Sequence, residues 1–444
     1  MRSATVLALY ATLLPIFGKG CLNADVTALP AADRLHTAPL VRKSRVCVLL
    51  DAALFVSFII AVLLHLGLLA EMGAAVVVVF IRALALSTLL SLVPLTVIWF
   101  LDRREREAPV FYVAAFLWGG CIATAVVLPF NTAFLHLIDR WIAFHPVVRE
   151  ILGPDAAVLL AAPLSAPITE ELAKGAGVAL IFWLLHDEFD NMRDGFVYGG
   201  LVGAGFNWFE SAMYVAQGYA EHGRALYGLQ LGSRYALFGL AGHVMFTGLF
   251  GLFLGFGMQT KRRWLRAFAP LVGLMLAIAA HMFNNALPLF EALAAAAHGE
   301  PLGSEPGAGG ERLPDMGFLE AFLSGTMIDL TIFAPFVLMI AVALWRGGVW
   351  ERRVIREELV SEVGRTVTPG EYDAILNDRI LRTRRIENLH PARSAALVNA
   401  QHELAFRKRR VRDRGGDPEQ DPLAAGWRED IRRLRLSGLT ERSS

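Results

Sequence analysis

Charge is scarce in this sequence and evenly split. Asp, Glu, Lys and Arg make up 19% of the 444 residues, and 42 Lys and Arg stand against 41 Asp and Glu, a formal net charge of +1. Soluble domains carry about a quarter charged residues. A soluble enzyme, a strongly basic nucleic-acid-binding module and a highly charged disordered chain are therefore excluded as main readings. Cysteine is scarce too. Cys21, Cys47 and Cys121 are the only three, an odd number with no CxxC spacing, which gives neither a disulfide framework nor a thiolate metal site. HExxH is absent, and no Ser or Cys is set beside a base in a recognisable arrangement.

What the sequence has in abundance is long apolar runs; 55% of its residues are hydrophobic. A spanning helix needs about 20 mostly apolar residues, and eight segments qualify: 52–70, 83–101, 110–132, 156–185, 195–217, 235–258, 267–290 and 321–345. Residues 4–18 form a shorter stretch that reads as a signal sequence or an extra span. Arg42, Lys43 and Arg45, then Arg103, Arg104 and Arg106, then Lys261, Arg262, Arg263 and Arg266, then Arg346, Arg352 and Arg353 all fall on one side of an eight-pass path. By the excess of basic residues in cytoplasmic loops, that side is cytoplasmic. The Gly/Pro-rich loop 291–318 then lies outside, and the acidic loop 186–194 inside.

The expectation is an all-α, polytopic helical membrane protein of about eight transmembrane helices with a helical cytoplasmic tail. Residues 1–46 form the signal-like or extra transmembrane stretch with a basic linker, 47–345 the membrane domain and 346–444 the Arg-rich tail. The tail holds half of all basic residues, interleaved with acids and periodic Leu, Ile and Val, and reads as solvated helix. Its run FRKRRVRDR is expected to be drawn to the inner leaflet rather than to nucleic acid.

Ionisable residues at mid-membrane cost roughly 2.5–3.5 kcal/mol each and point to function. The fourth segment carries Glu170, Glu171 and Lys174, just after Pro163 and Pro167, which predict a kink. Glu170 and Lys174, four apart, share a helix face; Glu171 points about 100° away, without such a partner nearby in sequence. Glu210 lies in the fifth segment, His243 in the sixth, His281 and Asn285 one turn apart in the seventh, and Asp329, read as a packing or gating residue, in the eighth. Tyr198, Phe206 and Tyr214 read as wall. At about 1.5 Å rise per residue, Glu210, His243, His281 and Glu170 come out about 10, 12, 14 and 20 Å from the outer membrane edge. The helices alternate in direction, yet the depths converge, which predicts one water-accessible pocket.

Two carboxylates in a poorly hydrated cavity push their proton affinities apart, and one can serve as general base on water. A His and an Asn can donate to an oxyanion. The inventory suits hydrolysis of an amide or ester within the membrane. Two His plus acids could also hold zinc, but no diagnostic ligand spacing is present, so no cofactor is expected.

The ordered set EELAK (170–174), FNWFE (206–210), His243 in GHVMFTGLFG and HMFNN (281–285) resembles the PrsW-type intramembrane proteases, in a clan shared with CAAX-prenyl endopeptidases and bacteriocin-immunity-type membrane hydrolases. IWFLDRRERE, FDNMRDGFVYGG and SRYALFGLAGH are similar to that family as well, and the resemblance covers about residues 84–290. EExxK with FxxxE is the PrsW-like variant; the prenyl-endopeptidase branch more often has EExxxR and FxxxH. The resemblance implies a glutamate-dependent membrane endopeptidase. In Bacillus-like relatives the substrate is a single-pass anti-sigma factor cut on its extracytoplasmic side, in regulated proteolysis. By the same resemblance Glu170 or Glu171 activates water, the first being favoured. Lys174 and Glu210 tune or orient it, and His243, His281 and Asn285 bind the oxyanion or water. A membrane-anchored protein is the expected partner, in a cell membrane; a prenyl-protein endopeptidase and a proton-coupled transporter or gate are the alternatives.

Overall fold

A computed structural model describes residues 44–102, 109–185, 189, 191–298, 316–377 and 391–440. The stretch 4–18, most of the 291–318 loop, part of the 186–194 loop, and Arg42, Lys43, Arg103, Arg104 and Arg106 lie outside the described residues. The chain forms two compact units, one of residues 56–101 and 109–340, the other including Ala341 onward.

Among the described residues the structure is helical throughout, without a strand. In order these are α1 Ser44–Met72, α2 Ala74–Leu101, α3 Pro109–Leu117, a π-helical turn Trp118–Ala123, α4 Thr124–Ala143, α5 Pro146–Leu152, α6 Ala156–Leu164 and α7 Ala166–Leu184. Next come α8 Met192–His222, α9 Tyr227–Arg234, a 3₁₀ turn Ala236–Gly239, α10 His243–Gln259, α11 Arg263–Ala297, α12 Phe318–Ile332 and α13 Ala334–Leu359. The 3₁₀ turn Val360–Glu362 and α14 Pro369–Leu376, α15 Pro391–Asp413 and α16 Pro422–Thr440 complete the chain. The protein is a multi-pass membrane protein.

Among the described residues seven stretches are long and apolar enough to cross a membrane: Ala52–Met72, Ala74–Leu101, Pro109–Ala143, Ala156–Leu184, Ala236–Gln259, Arg263–Ala297 and Ala334–Glu362. The expected segment 195–217 is not among them, although it lies inside the 31-residue α8. Its glycines and polar residues lower its hydropathy, and burial explains why that is tolerated: from Gly195 to Asn207 every α8 residue is buried. A helix surrounded by protein need not be apolar toward lipid. The expected segment 321–345 is also not one helix. Phe333 breaks it into α12 and α13, and Pro335 explains the break, since it cannot donate to the preceding turn and disfavours helical backbone just before it.

The Pro-rich fourth segment does break, at Ser165, between α6 and α7. Ser165 and Thr169 hydroxyls both donate to Asn131 Oδ1 of α4, at 3.0 and 2.6 Å, which gives polar groups at the break a partner where lipid offers none. Between membrane helices little hydrophobic driving force exists, so small residues and close backbone approach hold them together. Gly203 of α8 shows this most directly: a Cβ there would fall on the His243 carbonyl at the start of α10. On the other side Trp118, in the π turn, donates its Nε1–H to the Ala173 carbonyl of α7 at 3.0 Å. These contacts clamp α7, α8 and α10 around one point.

The tail is not a solvated helix. Leu397, Leu404, Phe406, Trp427 and Ile431 pack with Ile355 and Leu359 into a buried apolar core. Lys408 of the basic run is buried, with its ammonium on Glu362 at 2.7 Å and on the Glu358 carbonyl at 2.8 Å. Arg407 makes a bidentate pair with Asp421 at 2.9 and 2.6 Å, and Arg412 reaches Glu358 at 2.9 Å. Half the residues that read as a surface stripe are thus internal partners for acids elsewhere in the tail, a pairing between distant positions that local charge alternation does not reveal.

Candidate active site

Helix α7 presents Glu170, Glu171 and Lys174 on one buried surface; Lys174 is fully buried and Glu171 is 1% exposed. Residues three and four apart on a helix are both neighbours, so one long lysine reaches both acids. Its Nζ is 2.6 Å from Glu171 Oε1 and 3.4 Å from Glu170 Oε2. The tighter partner is therefore Glu171, not the Glu170 that shares its face at four residues' spacing, and Glu171 is not partnerless. Thr247 of α10 donates its hydroxyl to Glu171 Oε2 at 2.9 Å, and His281 Nδ1 of α11 lies 3.0 Å from Glu171 Oε1. Glu171 is thus fully occupied.

Glu210 of α8 is occupied as well. Its Oε2 accepts from Arg234 Nη1 at 2.6 Å and from His243 Nε2 at 2.8 Å. Arg234 ends α9, and its guanidinium lies over the Tyr214 ring at 3.9 Å. Arg234 and Thr247 are the site residues the sequence reading missed. Arg234 stands alone in the stretch LYGLQLGSRYALFGLAG, and an isolated arginine in an apolar run is itself the signal. Thr247 lies four residues after His243 and so on the same helix face.

Hydrogen-bond partners fix both imidazoles. A carboxylate only accepts and an ammonium only donates. His243 therefore donates Nε2–H to Glu210 and accepts Lys174 Nζ–H at Nδ1, 2.9 Å away. His281 donates Nδ1–H to Glu171 and turns its Nε2 lone pair toward Glu170. Lys174 spends its three hydrogens on Glu171, His243 and Glu170. Its charge also sits over the Phe206 ring, 4.1 Å from the centroid, and Phe246 stacks on His281 with centroids 4.9 Å apart at 15°. Phe206 and Phe246 are the walls.

Glu170 is the exception among the three acids. Besides one long hydrogen bond from Lys174 at 3.4 Å, its Oε2 faces His281 Nε2 at 3.9 Å and His243 Nδ1 at 4.0 Å, both too long for direct hydrogen bonds. Three carboxylates stand against two cations, Lys174 and Arg234. With neutral histidines the surplus negative charge, or the proton that cancels it, resides with Glu170. Ligand atoms of Glu170, His243 and His281 all lie within 4.8 Å of one another, so these three could hold a metal ion.

The structure brings Glu170, Glu171, Lys174, Glu210, His243 and His281 together. It does not bring the hydrogen bonds of Asn285 there: its Nδ2 donates to the Ala162 carbonyl at 3.3 Å and its Oδ1 accepts from Asn284 at 3.2 Å. Asp329, in the last turn of α12, makes no contact with the cluster. The segment joining Arg234 to His243 is strained, with Leu237 at φ 48° and Phe238 at φ 59°. It is held by Tyr235, whose hydroxyl bonds Ser87 and Ser91 of α2 at 2.6 and 2.7 Å, and by Leu237 N–H on Thr326 of α12 at 2.9 Å. Backbone strain of this kind persists where surrounding structure imposes it. Here it sets the angle at which α10 delivers His243.

Residues 107–301 match the family model described as PrsW family intramembrane metalloprotease. Protease PrsW of Geobacillus kaustophilus (strain HTA426) is 28% identical over 169 residues, covering 37% of this chain and 64% of that protein. The chain therefore spans a little under two thirds of the length of this curated relative. No solved structure matches. The region 107–301 is thus similar to the PrsW intramembrane proteases, the family whose motifs the sequence resembles. It starts and ends somewhat later than the span 84–290 read from them, and leaves the tail outside.

Proposed function

We propose that this chain is an intramembrane endopeptidase that hydrolyses a peptide bond of a membrane-anchored protein near the outer leaflet, with water activated by Glu170. The observation that carries this reading is the inequality among three adjacent acids. Glu171 and Glu210 are each held by charged or hydrogen-bonding partners at 3.0 Å or less, whereas the Glu170 contacts are 3.4 Å and longer. A water there gives one hydrogen to Glu170 and one to the His281 Nε2 lone pair. Glu170 takes a proton as the oxygen attacks the carbonyl carbon, and returns it to the leaving nitrogen when the C–N bond breaks. Lys174 supplies fixed positive charge beside the developing oxyanion.

The family description names a metalloprotease, and the donors are of the right kind: two imidazoles, each with its other nitrogen on a carboxylate, and one glutamate. The set as it stands nevertheless does not fit a divalent cation, because Lys174 Nζ lies 2.9 Å from the His243 lone pair that a metal would use. Charges of +2 and +1 about 3 Å apart repel by about 11 kcal/mol at an effective dielectric of about 20. The reading is therefore one without a cofactor.

The basic loop clusters support a plasma-membrane orientation with the tail in the cytoplasm. A single-pass anti-sigma factor is the first substrate to try; EExxK and FxxxE weigh against a prenylated one. Membrane proteomes of cells carrying wild-type protein and Glu170→Gln test the proposal. A membrane-protein fragment present only with wild type is expected, and identical proteomes together with full in vitro cleavage by Glu170→Gln refute it.

A further inference from the structure

Lys174 is hard to explain as a mere counter-ion. Glu170 and Glu171 could be neutralised by an arginine, or by a lysine reaching from lipid-facing positions. Instead the ammonium is fully buried and inserted among the groups most suited to bind metal. Its nitrogen bonds His243 Nδ1 at 2.9 Å and Glu170 Oε2 at 3.4 Å, two of the three converging donors. The third, His281 Nε2, is 3.9 Å from the same Glu170 oxygen, and His243 Nδ1 is 4.0 Å from it. Donors around a tetrahedral zinc with bonds of about 2.0–2.2 Å are separated by about 3.4 Å, so the two Glu170 edges are about half an ångström longer than ligating ones, with all three donors within 4.8 Å of one another.

The groups behind the donors are already arranged as they are behind metal-binding histidines. Glu210 holds His243 by Nε2 at 2.8 Å, and Glu171 holds His281 by Nδ1 at 3.0 Å. Each carboxylate fixes the ring and leaves the opposite lone pair facing Glu170. Both carboxylate–imidazole hydrogen bonds are direct and do not run through Lys174, and a divalent ion in its place would restore the positive charge that buried Glu171 loses with it.

We propose that the Lys174 ammonium fills the cation position of a latent two-histidine, one-glutamate site, so that the natural protein takes no divalent ion there and loss of this one charge uncovers a site for a zinc-class cation. This rests on the reading of Glu170 as the water-activating group, and it differs from the family description in the identity of the cation. An internal ammonium gives the positive charge that a metal would supply, yet leaves the Glu170 carboxylate unligated and able to take a proton. A metal bonded to Glu170 would withdraw charge from its carboxylate and weaken it as a base.

The test is metal content and spectrum of the full-length protein in detergent, after chelator treatment and re-exposure to Zn(II) or Co(II). Wild type, Lys174→Met, Lys174→Gln and Lys174→Met/His281→Ala are compared, each checked for a cooperative thermal transition. Wild type is expected to hold less than about a tenth of an equivalent at the site. Lys174→Met or Lys174→Gln is expected to hold about one, with intense tetrahedral Co(II) visible bands, and the double variant to lose it at least tenfold. Two results overturn the proposal. One is a stoichiometric ion in wild type that a fifth protein, His281→Ala alone, does not hold. The other is no ion in a lysine variant that unfolds cooperatively. Peptidase activity is scored separately, on wild type with and without chelator. Absence of cleavage in both would sink the protease reading alone, because metal content reports on Lys174 regardless.

Discussion

Glu170→Gln and Glu171→Gln remove the same charge one residue apart and are expected to fail in different ways. Glu171 accepts from Lys174 at 2.6 Å, Thr247 at 2.9 Å and His281 at 3.0 Å, and its side chain and that of Lys174 are both fully buried. Removing one partner of a buried, hydrogen-bonded charge pair costs about 3–5 kcal/mol, because the other charge is left uncompensated. For a body of this size that corresponds to a fall in melting temperature of roughly 10 °C. Glu170 has no partner closer than 3.4 Å, so Glu170→Gln should cost less stability than Glu171→Gln, yet lower turnover by at least about 10²–10⁴ if it is the base. Cleavage of a membrane-anchored reporter and tryptophan-monitored unfolding in detergent separate the two effects. If Glu170→Gln keeps more than about a tenth of wild-type turnover, or Glu171→Gln keeps the wild-type melting temperature, the division of labour between these acids is wrong.

Three further outcomes follow from the packing and the charge network. Arg234→Met leaves Glu210, which is 16% exposed, with His243 as its remaining close partner; it should destabilise by about 3–5 kcal/mol, and adding Glu210→Gln should restore part of that, read as a double-mutant cycle of melting temperatures. Gly203→Ala drives a Cβ onto the His243 carbonyl and should destabilise by about 1–3 kcal/mol, whereas Gly218→Ala, with open space around it in the same helix, should stabilise by about 0.5–1 kcal/mol; equal effects at the two positions would contradict the close crossing of α8 and α10. In the tail, burial pushes the Asp421 carboxyl up, but the Arg407 guanidinium and the Ala424 N–H outweigh it and hold it below its usual range. Its contribution is present above the unfolded value of about 3.9 and is lost as pH falls through the lower folded value. Hydrogen exchange in α15 and α16 should therefore rise below about pH 4 in wild type and vary less with pH in Asp421→Asn.

Much of this was legible in the sequence because lipid makes polar residues conspicuous. Glu170, Glu171, Lys174, Glu210, His243 and His281 stood out against apolar neighbours, and equal depth on antiparallel helices was enough to group them. Pro163 and Pro167 marked the break at Ser165 for the same reason that proline marks any helix boundary. Less legible was what depends on neighbours from other helices. Asn285 shares a face with His281, but its amide goes to Ala162, because the α6–α7 break presents free carbonyls beside it. Arg234 sits at the end of a short helix rather than in the middle of a long one, where its cost would have drawn notice. The tail misled because alternating charge looks the same whether it is solvated or paired across α13, α15 and α16; only the Leu404, Phe406 and Trp427 positions told of a core, and they recur too sparsely to decide it.

On the proposed reading of Glu170 as the base, the cluster also explains why two glutamates and a lysine at this spacing would make a reactive site and not merely a stable one. Within a membrane every charge needs a partner, and pairing alone would leave all three acids inert. Lys174 can reach Glu170 and Glu171 but cannot approach both closely, and it gives its short contact to the acid that Thr247 and His281 also hold. Arg234 and His243 then claim Glu210. The odd number of acids leaves Glu170 as the member not fully claimed, and the two histidines, each anchored from behind by one of the satisfied acids, face it. A close donor to Glu170 would make the bundle more stable and remove its base. The reactivity thus comes from one omission in an otherwise complete set of pairs, and it is placed by the spacing of three residues on α7.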